Sequence, residues 1–290
     1  MLSSPNHQCN DVVGHRELFG LRDVRNTICR GILSERPALG PPPLRLPLRE
    51  SSNADLAQLA GTQNARDQDG QPMRLYYHPL SSNSRRVLLT AHHLGLNLEL
   101  VIVDLSEGEH KTSEYLLLNP NGKVPILVDG GFQLWESHAI MQYLADRTPE
   151  QDIYPQDVSA RADVNRWLFW SAYHFAPAAA LIIRERVSKR IVGGSSAPDP
   201  LEIARGEALL PAVVSVLDLH LAGKQWIAQD RLTLADFAIA APLMHTSAAQ
   251  LPVTEFENLQ AWFARVQSLD AWVKSTVSED LVDVPRDKNV

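Results

Sequence analysis

Three short stretches stand where the chain must turn, and one of them, a helix start, suits a negatively charged ligand. Pro79-Leu80-Ser81-Ser82-Asn83-Ser84 is a loop that runs into a helical pattern, so Ser81, Ser82 or Asn83 caps a helix start. Glu136-Ser137 stands where another helix begins, and a helix start offers unpaired N–H groups to an anion. Between them lies Val124-Pro125, in an apolar run from 124 to 128. Proline cannot donate to a sheet ladder, so Pro125 marks an edge or a strand start. The Val124-Pro125 bond is a candidate for cis geometry, which turns the Val124 backbone toward a ligand. The two cysteines, Cys9 and Cys29, both precede residue 72. Residues 73–290 therefore carry no structural disulfide, no cysteine-ligated zinc and no protein thiolate for thiol-disulfide exchange.

The elements that must hold these groups follow from the residue pattern. Residues 74–78, RLYYH, are aromatic-rich and predict a strand. Residues 85–94 place Val87, Leu88, Ala91 and Leu94 on one helical face. A second strand is expected over 98–103 and a short helix over 111–118. Asn119-Pro120-Asn121-Gly122 is a turn, and Asp129-Gly130-Gly131 fits a hairpin between two short strands. The order is β-α-β-α-β-β-α. Residues 149–156 read as a linker, and beyond it the pattern is helical throughout. One long helix is expected over 160–187, kinked at Pro177, and a second over 201–221 with Pro211 inside it. Shorter helices are expected over 234–249, 257–268 and 270–277. Thr233-Leu234-Ala235-Asp236 has the form of a capping box, which assigns Thr233 and Asp236 to folding rather than to catalysis.

Composition divides the chain sharply near residue 72. Residues 1–72 hold one aromatic, Phe19, while all six Trp, all six Tyr and the other six Phe follow. Eight basic and eight acidic residues make this first segment neutral, so the net charge of −7 belongs to 73–290. A segment so poor in large apolar groups does not offset its ordering entropy and is expected to be a disordered extension, with at most a short helix near 56–60. Its acidic residues fit a transit peptide poorly, and it has no apolar signal core. No run approaches the roughly 20 apolar residues of a membrane span. An acidic chain without a basic cluster argues against nucleic acid as a partner.

The ordered set NPNGKVP, hairpin, Glu136-Ser137, helix resembles the glutathione site of the cytosolic glutathione transferases, and the resemblance covers roughly 73–278. It implies an N-terminal thioredoxin-like α/β domain, 73–150, followed by an all-helical domain, 155–280, holding an electrophile pocket, with a tail at 281–290. It further implies that Val124, before a cis Pro125, pairs its backbone with the cysteinyl part of glutathione. Glu136 and Ser137 hold the γ-glutamyl end, and His110 and Lys123 meet the glycine carboxylate. In the serine-type members resembling the theta and delta classes, including bacterial ones, a serine three residues before a Cys-Arg or Ser-Arg pair activates the thiol. Ser84-Arg85 supplies such a pair, so the role falls on Ser81, with Ser82 as the neighbouring candidate. Trp170 and His174, on the first long helix, are candidate electrophile contacts.

The energetics suit that role. An unperturbed thiol with a pKa near ~8.5 is only about 3% thiolate at neutral pH, and lowering it by ~2 units requires about 2.7 kcal/mol. A hydroxyl hydrogen bond to a charged sulfur supplies roughly 1.5–3 kcal/mol, and a helix N-terminus adds ~0.3–1 kcal/mol. No metal is needed. The expected protein is a cytoplasmic homodimer that conjugates glutathione, as co-substrate, to small hydrophobic electrophiles, and peroxide reduction can use the same thiolate. A glutathione-dependent dehalogenase or isomerase on the same scaffold is one alternative. A non-catalytic interaction module is the other.

Overall fold

The structure is a computed structural model and describes residues 72–193 and 196–276. Residues 1–71, the helix anticipated near 56–60 and the tail at 281–290 lie outside the described residues.

The first half contains β1 (Arg74–Tyr77), α1 (Ser82–His93), β2 (Glu99–Ile102), α2 (Ser113–Leu118), β3 (Ile126–Asp129), β4 (Phe132–Trp135) and α3 (Ser137–Arg147). The strands form one sheet in the order β2-β1-β3-β4. β1 and β2 run parallel, joined through α1, and β3 and β4 are antiparallel additions. This is the thioredoxin-like plan expected from the element order. Alternation along the strands assigns the two faces. Leu75 and Leu127 point into the main core with Val87, Leu89, Ile140 and Leu144 of α1 and α3. Tyr76 and Ile126 point the other way, onto Tyr115 of α2, Val103 and Val124. Each such fully buried aliphatic side chain contributes roughly 1.5–3 kcal/mol.

The second half is helical. α4 (Val158–Trp170) is capped by Asp157, which accepts from the Ala160 N–H at 2.8 Å. The chain then stays helical to Ile191 through α5 (Ala176–Ile183) and α6 (Lys189–Ile191), separated by wider π turns at Ser171–Phe175 and Arg184–Ser188. Pro177 falls in the first turn of α5, directly after the first π turn, whose wider spacing accommodates a residue that cannot donate to the preceding turn. A continuous helical run thus covers the long helix anticipated from sequence and extends beyond it by a few residues at each end. α7 (Pro200–Leu221) packs closely on α5, and Gly206 makes this approach possible. A Cβ there would lie 2.6 Å from Ile182 Cγ1 and 2.9 Å from Leu181 Cβ. The stretch expected as one helix over 234–249 is divided into α8 (Leu234–Ala240), a 3-10 segment at Ala241–His245 containing Pro242, and α9 (Thr246–Ala249). α10 (Glu257–Gln267) and α11 (Asp270–Lys274) complete it.

Two buried polar knots fix the frame. The Asp236 carboxylate accepts from the N–H groups of Thr233 (2.8 Å) and Ile227 (3.1 Å), the Thr233 hydroxyl (3.2 Å) and the Trp262 indole (2.8 Å). Burial pushes its pKa up to about 6. Arg85 of α1 reaches into the helical half. Its guanidinium stacks 3.8 Å over Trp272 and donates to the Trp272 carbonyl, the Ser275 hydroxyl and the Thr276 hydroxyl. The arginine of the Ser84-Arg85 pair therefore ties the start of α1 to α11.

Candidate active site

A cleft between the two halves has two adjoining lobes that share Asn83, Ala176 and Ala180. One lobe, of about 390 Å³, is polar and includes Arg86, Lys123, Val124, Pro125, Glu136 and Ser137. The other, of about 260 Å³, is lined by Ser81 and Ser82, the apolar Leu105, Ile183, Ile191 and Val192, and two histidines. The start of α1 lies where they meet.

Ser81 is the N-cap of α1. Its hydroxyl oxygen accepts from the Ser84 N–H at 3.2 Å, and its carbonyl accepts from the Arg85 N–H at 2.8 Å. Capping uses an oxygen lone pair and leaves the hydroxyl proton available to donate. A cap and a donor to an anion are therefore compatible roles for one serine. Ser82 occupies the first helical position, where the backbone N–H has no intrahelical partner.

On the polar side, the Val124-Pro125 bond is cis. The β1–β3 and β3–β4 ladders both stop at Ile126, so the Val124 backbone lies outside them. The preceding loop is held tightly. The Lys123 carbonyl accepts from the Tyr115 hydroxyl at 2.9 Å and from the Asn119 amide at 2.8 Å. Gly122 has φ +57°, and a Cβ there would stand 3.0 Å from the His110 carbonyl. Glu136 opens α3 with φ 72° and ψ 108°, a conformation sparsely used by any residue but glycine, and strain of this kind concentrates at ligand sites. Ser137 is buried beside it.

Of the residues expected from sequence, Lys123, Val124, Pro125, Glu136 and Ser137 come together around the polar lobe, and Ser81 borders the other. His110 is placed differently. It sits in a 3-10 turn at Glu109–Lys111, packs its backbone on Gly122, and is not part of either lining. Burial first, then Lys111, holds its imidazole below the ordinary pKa. Trp170 and His174 also line neither lobe. They pack on one another, and α5 presents Ala176, Ala180 and Ile183 instead.

Sequence reading did not pick out Arg86, His138, His78 or His245. His138 lines the polar lobe, where burial and then the Arg86 charge push its pKa down to about 3. In the apolar lobe, His78 and His245 flank the Leu80 backbone. The Leu80 N–H donates to His78 Nδ1 at 3.2 Å, which places the His78 proton on Nε2. His245 faces the Leu80 backbone from the other side, and burial pushes its pKa down to about 4. Both imidazoles are neutral at physiological pH. A lone histidine gives no sequence signal for this; the pairing arises because residues 78 and 245 fold onto the residue before Ser81.

Comparison with known proteins converges on one assignment. Residues 71–146 match the family model described as glutathione S-transferase, N-terminal domain, and residues 189–270 match that of the C-terminal domain. Glutathione S-transferase 3 of Zea mays is 34% identical over 220 residues, covering 74% of this chain and 97% of that protein. This chain belongs to the glutathione S-transferase family. The fold agrees. The solved glutathione transferase F7 of Populus trichocarpa superposes with a TM-score of 0.63 at 31% identity, over 70% of this chain and 97% of that one. A delta-class glutathione transferase of Nilaparvata lugens gives 0.61 at 32% identity, over 71% and 93%. The glutathione transferase family thus accounts for both halves of the described chain, and among the described residues no helix is long and apolar enough to cross a membrane.

Proposed function

We propose that this chain is a glutathione transferase that joins the glutathione sulfur to small apolar electrophiles. The observation that carries the reading is the meeting of a polar lobe and an apolar lobe at the start of α1. Glutathione occupies the polar lobe of the thioredoxin-like half, 73–150, as co-substrate. Its cysteinyl backbone pairs with Val124, its γ-glutamyl end meets Glu136 and Ser137, and its glycine carboxylate meets Lys123. His110 supports that end from behind Gly122. Its sulfur then lies beside Ser81, whose hydroxyl proton stabilises the thiolate while its oxygen caps α1. The electrophile enters the apolar lobe, walled by Ile183, Ile191 and Val192 of the helical half, 155–280. The thiolate attacks an electrophilic carbon, the carbon–sulfur bond forms, and a leaving group departs or a proton is taken from water.

The serine-type chemistry belongs to this proposal; the bacterial part of the class reading is dropped, because the similar proteins are enzymes of Zea mays and Populus trichocarpa and, for the delta class, of Nilaparvata lugens. A homodimer fits the exposed aromatics, and a cytoplasmic location belongs to the same proposal. Phe132 and Trp135 on the edge strand β4, and the stacked Phe169 and Tyr173 on the long helix, are apolar surface on both halves. Retention on immobilised glutathione, followed by a panel of electrophiles assayed with and without glutathione, tests the reading. Conjugation dependent on glutathione is expected. Retention without turnover on any electrophile or peroxide would favour the interaction module instead.

A further inference from the structure

Arg86 is 2% exposed and stands at the wall of the polar lobe. Its Nη1 donates to the Ser137 hydroxyl oxygen at 3.3 Å and lies 3.2 Å from His138 Nε2. Its Nε and Nη2 are buried without a hydrogen-bond partner. Among the described residues no carboxylate comes within ion-pair distance of it; Glu136 acts on it only through its field and is itself exposed. Burial lowers its pKa to about 10, which still leaves it charged at neutral pH. A buried cation without a counter-charge is costly in any fold. Here it lies beneath the N-terminus of α3, an eleven-residue helix whose own dipole is positive at that end. The two fields add, and what they lack is an anion.

The hydrogen-bond directions name where that anion sits. Guanidinium can only donate. Because Arg86 donates to the Ser137 oxygen, the single Ser137 proton must point elsewhere, and among the described residues it finds no acceptor. His138, held neutral, receives the second contact and cannot compete as a donor there. Arg86 therefore converts Ser137 from an ambivalent hydroxyl into a donor toward the lobe.

We propose that Arg86 is a positioning residue for the α-carboxylate of the γ-glutamyl group, acting through Ser137 and supplying the buried counter-charge. This rests on the reading that glutathione occupies the polar lobe. Arg86 lies on α1 four residues after Ser82, so the helix that caps with Ser81 also charges the far end of the peptide site. Binding the carboxylate relieves a cost already present in the ligand-free fold.

The test compares glutathione with 4-aminobutyryl-cysteinyl-glycine, which lacks only that carboxylate, by calorimetric titration of the full chain. The wild-type protein should prefer glutathione. R86M should weaken glutathione by roughly tenfold to a hundredfold, the worth of a charged hydrogen bond, and leave the decarboxylated peptide nearly unchanged. R86K, which keeps the charge, should retain the preference. The ligand-free R86M protein should melt at or above the wild-type temperature, because an uncompensated charge is removed. Equal loss of both peptides in R86M, or a ligand-free melting point several degrees lower, would assign Arg86 a merely structural role and overturn the proposal. A wild-type protein that binds glutathione without preferring it over the decarboxylated peptide would overturn it too. Failure of the wild type to bind glutathione at all would instead overturn the reading beneath it.

Discussion

The polar lobe takes Lys123, Glu136 and Ser137 from turns and a helix start of the thioredoxin-like half, whereas the apolar lobe takes Ile183 and Ile191 from a continuous helical run of the other half. The first kind of wall must hold donors and acceptors at fixed angles, because hydrogen bonds weaken steeply off-axis. The second must only exclude water and leave a shape, because apolar burial is non-directional. On the proposed function, a lobe for a constant peptide would be written in motifs, and a lobe for a variable partner in residue size. The two also differ in what lies behind them. Behind the polar lobe is the unpaired charge of Arg86; behind the apolar lobe are the neutral imidazoles of His78 and His245.

The contrast presupposes a common frame, and the largest effect is expected where that frame is cut. Asp236 lines neither lobe, yet four donors converge on it. Asp236→Ala orphans them in a buried site and should cost about 3–4 kcal/mol, abolishing both lobes together. The midpoint of urea unfolding reports this. A midpoint equal to that of the wild type would mean the helical half does not depend on this knot.

Acid should distinguish the lobes next. His138 and His245 have pKa values pushed down to about 3 and about 4 from an ordinary 6.5. Below pH 6.5 the unfolded chain takes up protons that the folded chain refuses, so this stability is present above 6.5 and lost as pH falls. By pH 5 each histidine costs about 2 kcal/mol, an order-of-magnitude figure from the linkage relation. Asp236 acts in the opposite sense. Its carboxyl, raised to about 6, takes up a proton in the fold before the unfolded chain does, and by pH 5 returns about 1 kcal/mol. Together these three groups should cost about 3 kcal/mol between pH 7 and 5, and His78, His92 and His93, also held below the ordinary value by burial, add to the loss. His245→Gln and His138→Gln should each remove about half of the contribution of that pair. Unfolding midpoints that fall just as steeply in both variants would place the acid sensitivity elsewhere.

Ser81→Ala acts at the junction. Turnover should fall roughly tenfold to a hundredfold, the worth of one hydroxyl donor to a thiolate. Glutathione affinity should hold within about threefold, because the peptide contacts lie in the polar lobe. Ultraviolet titration of bound glutathione should show the thiol pKa rising toward its free value. If it does not move, Ser82 or another donor holds the sulfur. Loss of the cap should also cost about 1 kcal/mol of stability, which a parallel unfolding curve separates from the catalytic effect.

The same contrast explains how much was legible beforehand. Asn119-Pro120-Asn121-Gly122, the Val124-Pro125 bond and Glu136-Ser137 could be read because turns and helix starts demand particular residue types, and the structure gathers these residues around one lobe. The capping box at Thr233 and Asp236 was readable for the same reason. Arg86 was not, because a charged residue inside a helical pattern gives no sign that its face will be buried. Nor were His78 and His245 as a pair, since 167 positions separate residues that only the fold brings to Leu80. Trp170 and His174 drew notice by their size and spacing, yet the wall of the cleft is made by small residues, Ala176 and Ala180, that carry no such signal.

The smallest expected effect is the most selective. Ile183 is buried and lines only the apolar lobe. Ile183→Val removes one methyl group, which should cost about 0.5–1.5 kcal/mol of stability and leave the helix intact. In a pocket whose walls act by shape, one methyl discriminates substrates by about 1 kcal/mol, or roughly fivefold. A bulky electrophile should therefore gain in kcat/KM relative to a small one by up to about fivefold. Glutathione affinity should not change, because no part of the peptide reaches Ile183 if it lies along Val124 and Glu136. Paired kcat/KM values for two electrophiles of the same chemistry and different size, with the glutathione Kd measured alongside, decide the matter. An unchanged ratio accompanied by weaker glutathione binding would mean that the peptide extends into the apolar lobe, and that the cleft is one site rather than two.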